Sequence, residues 1–339
     1  MNTLILNPGS RWLKATVYTE ADKLLDLQKI EVDNTKAQSE WLGKLTNVGR
    51  IGVRIVHGGG LESPQLFTAD TKRIIEGFSA FAPLHNPRAL DVIELAQKQF
   101  EGIPVYCVFD TYFHKTLSEE AYTYPIPKDV ADKYKIRRYG FHGLALESVL
   151  GQLRAQFLHE ERTMPKKIIM AHLGGGTSIT AVESGHSVAT TMGATPLEGA
   201  MMITRSGSVD PDIARILAEK AGYSYTDVSK MLNEKSGFEG LLGSTDTKKI
   251  IDDAMIGKQP EASVFQIYVR TIVKHIFSHF GLLQGADALV FSGGIGFQNE
   301  YIRPEVLKWT EIIGLNSGNT YAFQADEANV IYQYIKDAE

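Results

Sequence analysis

At 339 residues the chain is too long for a single ordinary core, and its formal charge of -5 argues against nucleic acid or an anionic membrane as its main partner. A hydrophobic fraction of 43% and a charged fraction of 22% are those of a soluble globular protein, with two domains as the default. The lone Cys107 excludes an internal disulfide and fits a reducing, cytoplasmic compartment; no signal-peptide pattern or run of about 18 apolar residues points to export or a membrane span.

The first predicted element is a hairpin, TLILNPGSRWLKATVY (3–18), in which Leu13, Ala15 and Val17 alternate with Trp12, Lys14 and Thr16. IGVRIV (51–56) and IPVYCVF (103–109) read as buried strands. Between them HNPRALDVIELAQ predicts a helix capped by Asn86, with Pro87 in its first turn. A domain boundary is expected near the helix that starts around Leu144. IIMAHLGGGTSITAVE (168–183) is again strand, small-residue turn, strand, and continues through ESGH into SVAT. SVDPDIARILAEKAG predicts a helix with Asp210 as cap, Pro211 in the first turn and Gly222 as the stop. EASVFQIYVRTIVKHIFSHFGLL predicts a long packed helix with Ile272, Val273, Ile276, Phe277 and Phe280 on one face, and ADALVF (286–291) a late strand.

The two similar hairpins, each opening a half of the chain, predict two related α/β domains facing each other across a cleft. Three small-residue turns, NPGS (7–10), HLGGGTS (172–178) and SGGIG (292–296), are either plain turns or places where bare backbone N–H groups meet a phosphate. An ordinary P-loop and a Rossmann fingerprint are both absent from the sequence. Asp110, ending an apolar strand, is either a cap or a partial ligand for hydrated Mg²⁺. Arg54, in mid-strand, and Arg205, after an apolar run, imply either internal salt bridges or a buried anionic ligand.

The stretches NPGSRWLK, VRIVHGGG, APLHNP, VFDTYFHKTL, IRRYGFHG, AHLGGGTSITAVESGHSV, TTMGATPLEGAMMITRSGSVDP, SGFEGLLGSTDTKK, FSGGIG and ADEANVI occur in this order along nearly the whole chain. With them the sequence resembles acetate kinases and related short-chain carboxylate kinases, of the superfamily that joins acetate and sugar kinases to actin. The resemblance implies an α/β fold of two duplicated ribonuclease-H-like (actin-like ATPase) domains: 1–145 plus 325–339 on the acyl and metal side, and 146–324 on the nucleotide side. It implies reversible Mg²⁺- or Mn²⁺-dependent transfer of the ATP γ-phosphoryl group to acetate or a similar acid, giving acyl phosphate and ADP, by a homodimeric enzyme. Carried over by motif, Arg54, Asp110, His142 and Arg205 are catalytic, with Asn7, Asp110 and Glu327 at the metal. Val56, Leu84, Phe141 and Pro196 wall the acyl pocket, and His85 and His114 line the same cleft. Ser10, Lys14, His172, Leu173, Gly174, Gly175, Gly176, Asp246, Lys248, Gly293, Gly294 and Ile295 bind nucleotide.

The chain departs from the family pattern on the nucleotide side. Arg11 and Trp12 stand where serines are usual, Gly175 where an Asn is, Lys248 where an Arg is, and Phe297 and Gln298 replace a polar pair. These changes motivate one alternative, a catalytically weakened carboxylate sensor. A sugar kinase is disfavoured, because the pocket walls are apolar.

Overall fold

The computed structural model describes residues 1–9, 12–22 and 24–338. Two compact units divide the chain: Met1–Lys115, Phe141–Ser148 and Asp326–Glu339 form the first, Thr116–Gly140 and Val149–Ala325 the second.

The first unit is built on β1 (Asn2–Pro8), β2 (Trp12–Tyr18), β3 (Leu24–Glu31), β4 (Val48–Ile55), β5 (Gln65–Leu66) and β6 (Val105–Phe109), in the order β3-β2-β1-β4-β6-β5. The hairpins β1–β2 and β2–β3 are antiparallel, whereas β4 lies parallel to both β1 and β6. Its central strands are apolar on both faces because both faces are covered. Leu4, Leu6, Ile51, Val53, Ile55, Val105, Cys107 and Phe109 pack with Ala89, Leu90, Val92, Ile93 and Ala96 of the helix Asn86–Gln99. The opposite face sets Ile5 and Val108 against Leu144 and against Ile331, Tyr332 and Ile335 of the C-terminal helix Glu327–Asp337. Burial pushes the Cys107 thiol up to about 12, so it behaves as a core hydrophobe.

The second unit repeats the plan with β7 (Lys167–Leu173), β8 (Thr177–Glu183), β9 (His186–Thr190), β10 (Ala288–Ser292) and β11 (Thr320–Ala322), in the order β11-β10-β7-β8-β9. Here too two antiparallel hairpins lead into three parallel strands, β7, β10 and β11. Read from the hairpin edge, the first five strands of both sheets have the same succession, as expected of duplicated domains, and the first sheet adds β5, antiparallel to β6. Its core surrounds the long helix Glu261–Leu283, through Phe265, Tyr268, Val269, Ile272 and Ile276. Among the described residues, no helix is long and apolar enough to cross a membrane.

Three local expectations are corrected. Asn86 does not cap its helix; its buried amide accepts from His57 N at 3.1 Å and donates to the carbonyls of His57 and Ile75 at 2.9 and 3.2 Å. Asp210 sits one turn early: it receives the Asp212 N–H at 2.9 Å, and the helix runs only from Ile213 to Ala221, ending at a left-handed Gly222 as expected. Phe277, next after the fully buried Ile276, is 36% exposed, because one residue rotates about 100° off the packed stripe.

Candidate active site

Alternation along parallel strands builds the first part of the site. In β1, β4 and β6 the residues Leu6, Val53 and Phe109 point into one core, so Asn7, Arg54 and Asp110 point to the other face at the carboxyl ends of adjacent strands. That is where open α/β sheets bind ligands. Arg54 donates from Nε to Asp110 Oδ2 at 2.9 Å, ion-pairs with it through Nη2, and reaches Asn7 Oδ1 with Nη1 at 3.1 Å. Asn7 Nδ2 in turn donates to Glu327, in the first turn of the C-terminal helix, where a carboxylate suits the helix dipole. The mid-strand charge is therefore paired.

Pairing is incomplete, however. Asp110 is fully buried and its Oδ1 has no hydrogen-bond partner among the described residues. Burial pushes the Asp110 carboxyl up; the Arg54 guanidinium pulls it back without cancelling the push, and the charge of Glu327 adds to it. Burial likewise penalises the Arg54 cation, yet Asp110 and Glu327 hold its pKa above the usual arginine range. A bare, buried carboxylate oxygen beside a second carboxylate and an amide fits a hard cation. Among the described residues no cluster of three or more His, Cys, Asp or Glu side chains forms a metal cage.

The end of β6 is stapled to the helix Gly143–His159. Gly143 N donates to Asp110 O at 3.0 Å, and a Cβ on Gly143 would lie 2.1 Å from that oxygen, so only glycine lets the two segments meet. His142, just before it, has a left-handed backbone with φ 63°, an uncommon conformation for histidine. Of the acyl-wall candidates in this unit, Val56 and Phe141 are buried and Leu84 is half-buried. The ring of His57, next after Val56, packs on Phe78, Phe81 and Phe141. His85 ends the turn before Asn86.

His114 is fully buried, which lowers its pKa to about 4 although its bond to Phe141 O at 3.0 Å pulls the other way. The folded state then stays unprotonated between pH 6.5 and 4 while the unfolded chain takes up a proton, so stability falls as the pH is lowered through that window. A pH series of urea unfolding should show this loss, and His114→Asn should remove part of it. A flat profile in the native chain would reject this assignment.

Lys14 faces Asn7 across the β1–β2 ladder, is exposed, and makes no ion pair among the described residues. Trp12 shares its face by alternation, with Lys29 Nζ 4.6 Å above the indole centroid, so a cation holds that ring on its own sheet. Ser10 and Arg11 lie outside the described residues.

In the second unit the β7–β8 turn is stripped of side chains. Gly174 N donates to Gly176 O at 2.9 Å, and a Cβ on Gly175 would meet nothing within 4 Å. His172 Nδ1 lies 3.0 Å from Ser292 Oγ, tying this turn to the end of β10. Gly293, at φ 80°, crosses the turn so closely that its Cβ would lie 2.4 Å from Leu173 O. The side chains of Leu173 and Ile295 belong to the core, so only their backbones are available to a ligand. Gly294 opens the one-turn segment Gly294–Gln298, which includes Phe297 and Gln298. Asp246 caps the helix Thr247–Met255 by accepting from Lys249 N at 3.0 Å, and the exposed Lys248 pairs with Asp252 at 2.7 Å.

Arg205 also lies in this unit. Its Nη1 donates to Pro196 O at 3.0 Å, and it has no ion-pair partner among the described residues. Burial pulls its pKa down to about 10. A guanidinium left without a counter-ion is a receptor for an anion.

The family model described as the Acetokinase family matches residues 14–333, a span that holds every candidate described here except Asn7 and Ser10. The chain belongs to the acetokinase family. It is 40% identical over 275 residues to acetate kinase 1 of Neisseria meningitidis serogroup B, covering 80% of this chain and 68% of that protein. A propionate kinase structure from Francisella tularensis superposes with a TM-score of 0.89 at 30% identity, covering 98% of both chains. The Porphyromonas gingivalis acetate kinase structure gives 0.86 at 27%, over the whole of both.

Two features of this acetokinase are invisible to motif reading. Arg303 donates to Gly296 O and Phe297 O at 2.8 and 2.7 Å, and so fixes the loop whose polar pair is missing. Arg138, Glu198 and Tyr124 interlock beside Pro196. Arg138 and Glu198 lie within IRRYGFHG and TTMGATPLEGAMMITRSGSVDP, but neither stretch announces their pairing.

Proposed function

We propose that this acetokinase transfers the γ-phosphoryl group of ATP to a short-chain carboxylate such as acetate or propionate, reversibly and with Mg²⁺. The observation that carries this most directly is the buried Asp110, whose Oδ1 has no hydrogen-bond partner among the described residues, beside Arg54 and within a chain of contacts to Asn7 and Glu327. Asp110, Glu327 and Asn7 would hold the metal, which supplies positive charge to the polyphosphate and orients it.

A carboxylate oxygen attacks phosphorus in line, the bond from phosphorus to the β,γ-bridging oxygen breaks, and ADP leaves with that electron pair. The acid is already an anion at neutral pH, so no general base is needed. Arg54 and Arg205 bind the anionic groups, and His142 donates to the transferring phosphoryl group. Val56, Leu84, Phe141 and Pro196 exclude water from the acyl tail. Lys14, Ser10 and the amides of residues 172–176 serve the phosphates, and Asp246, Lys248 and Gly293–Ile295 the adenosine. A cytoplasmic homodimer is the setting we propose for it.

The sensor alternative has no support among the relatives, which are named as kinases. The test is a hydroxylamine trap for acyl phosphate with ATP, Mg²⁺ and acids from acetate to butyrate. Turnover on the order of 1–100 s⁻¹ is expected. Nucleotide binding without hydroxamate from any acid would reject the proposal.

A further inference from the structure

Residues 191–212 contain neither helix nor strand, yet they carry Arg205. The backbone around Arg205 is held by bonds from Met202 N to Arg205 O and from Ser206 N to Leu232 O, both at 3.0 Å, while the guanidinium itself takes its direction from the carbonyl of Pro196. We infer that Arg138, Glu198 and Tyr124 form a clamp that positions Arg205 through the carbonyl of Pro196; this rests on the role proposed above for Arg205.

Arg138 closes the start of the segment. Its Nη1 donates to the carbonyls of Thr190, Thr191 and Met192 at 3.3, 3.1 and 3.2 Å, and its Nη2 reaches across to Glu198 Oε1 at 2.7 Å. The second oxygen of Glu198 accepts from the Tyr124 hydroxyl, and that hydroxyl oxygen accepts from Ala194 N at 2.9 Å. Gly193 lies under the clamp: a Cβ there would fall 1.8 Å from Glu198 Oε2 and 2.0 Å from the Tyr124 oxygen. Its carbonyl accepts from Tyr139 N and Gly140 N at 3.0 and 3.3 Å. Residues 190–194 and 198 are thereby fastened to one guanidinium and one phenol.

Pro196 hangs between the fastened ends. Its carbonyl is the one oxygen that receives a hydrogen bond from the Arg205 guanidinium among the described residues; the other contact is the Met202 sulfur at 3.8 Å. With no carboxylate to aim it, Arg205 takes its direction from that carbonyl. Glu198 and Arg138 thus act as positioning residues, one contact removed from the reacting atoms. A charge-assisted hydrogen bond backed by a second bond to the other carboxylate oxygen is the kind of contact that can fix such a direction.

The test uses the full chain with Glu198→Gln, alone and combined with Arg205→Leu. Losing the ionic half of the bridge is expected to lower kcat about 10–100-fold, with the KM for ATP within about twofold and no loss of helix signal. The double variant is expected to be no slower than Arg205→Leu alone. In ¹⁵N spectra the slowly rotating Arg205 guanidinium signal should broaden in Glu198→Gln. Tyr124→Phe, lacking one hydroxyl, should give the same pattern at about 3–10-fold, and serves if Glu198→Gln does not fold. An unchanged kcat with an unchanged Arg205 signal overturns the clamp, as does a double variant slower than Arg205→Leu by the full Glu198→Gln factor. Should the native chain make no acyl phosphate, the catalytic proposal fails and the spectra alone decide the clamp.

Discussion

Arg205→Leu should abolish phosphoryl transfer, by about 10³-fold or more, while leaving the fold intact. Mutations that remove a cation from a phosphoryl-transfer site have effects of that size, because the protein has little to contribute there beyond position and charge. What makes this arginine a sharp test is its isolation. Burial draws its pKa down to about 10, and no carboxylate among the described residues offsets the cost. An arginine kept for stability would be paired, and its loss would lower the melting temperature. One kept for an anionic ligand can be replaced by a similar-sized apolar residue with no penalty, or with a gain. The measurement is therefore a pair: the hydroxamate assay, and a melt followed by circular dichroism. A rate within a few-fold of native would remove Arg205 from the mechanism. Arg205→Lys should recover little, because a single ammonium cannot span two oxygens in a plane.

The second large effect is expected at Asp110. Asp110→Asn keeps the shape but withdraws the charge, with two consequences. Arg54 loses its ion pair and keeps only the charge of Glu327 and its bond to Asn7, a loss that costs at most about 3–5 kcal/mol. The bare oxygen also loses its attraction for a divalent cation. Millimolar Mg²⁺ should raise the melting temperature of the native chain and not that of the variant, since only a species that binds the folded state stabilises it. Transfer should fall with it, by about 10²–10³-fold. A variant that is still stabilised by Mg²⁺ and still active would show that the metal binds elsewhere.

Much of this was legible in the sequence because strands alternate. Arg54 drew notice as a charge within an apolar run, and Asp110 as a carboxylate closing another. The same period puts both, with Asn7, on one face. Their pairing was not legible, since 47 to 56 residues separate the partners and only the parallel register joins them. The second hairpin announced the second sheet through its resemblance to the first. Asn86 misled because a residue ahead of a helical proline is normally a cap, whereas tertiary bonds to His57 claimed its amide first. Nothing periodic runs through residues 191–212, so the clamp on Pro196 had no signature beyond two charges and a tyrosine.

The matching succession of strands in the two sheets has a consequence for ancestry. Each half carries a different set of groups at its strand ends, ionic side chains in one and bare glycine backbone in the other. Doubling the module lets each copy specialise. One end gathered ions, Asn7, Arg54 and Asp110; its twin shed side chains down to Gly174, Gly175 and Gly176. The departures from family habit divide between the twins: Gly175, Lys248, Phe297 and Gln298 fall in the glycine-bearing half, and Arg11 and Trp12 in the other.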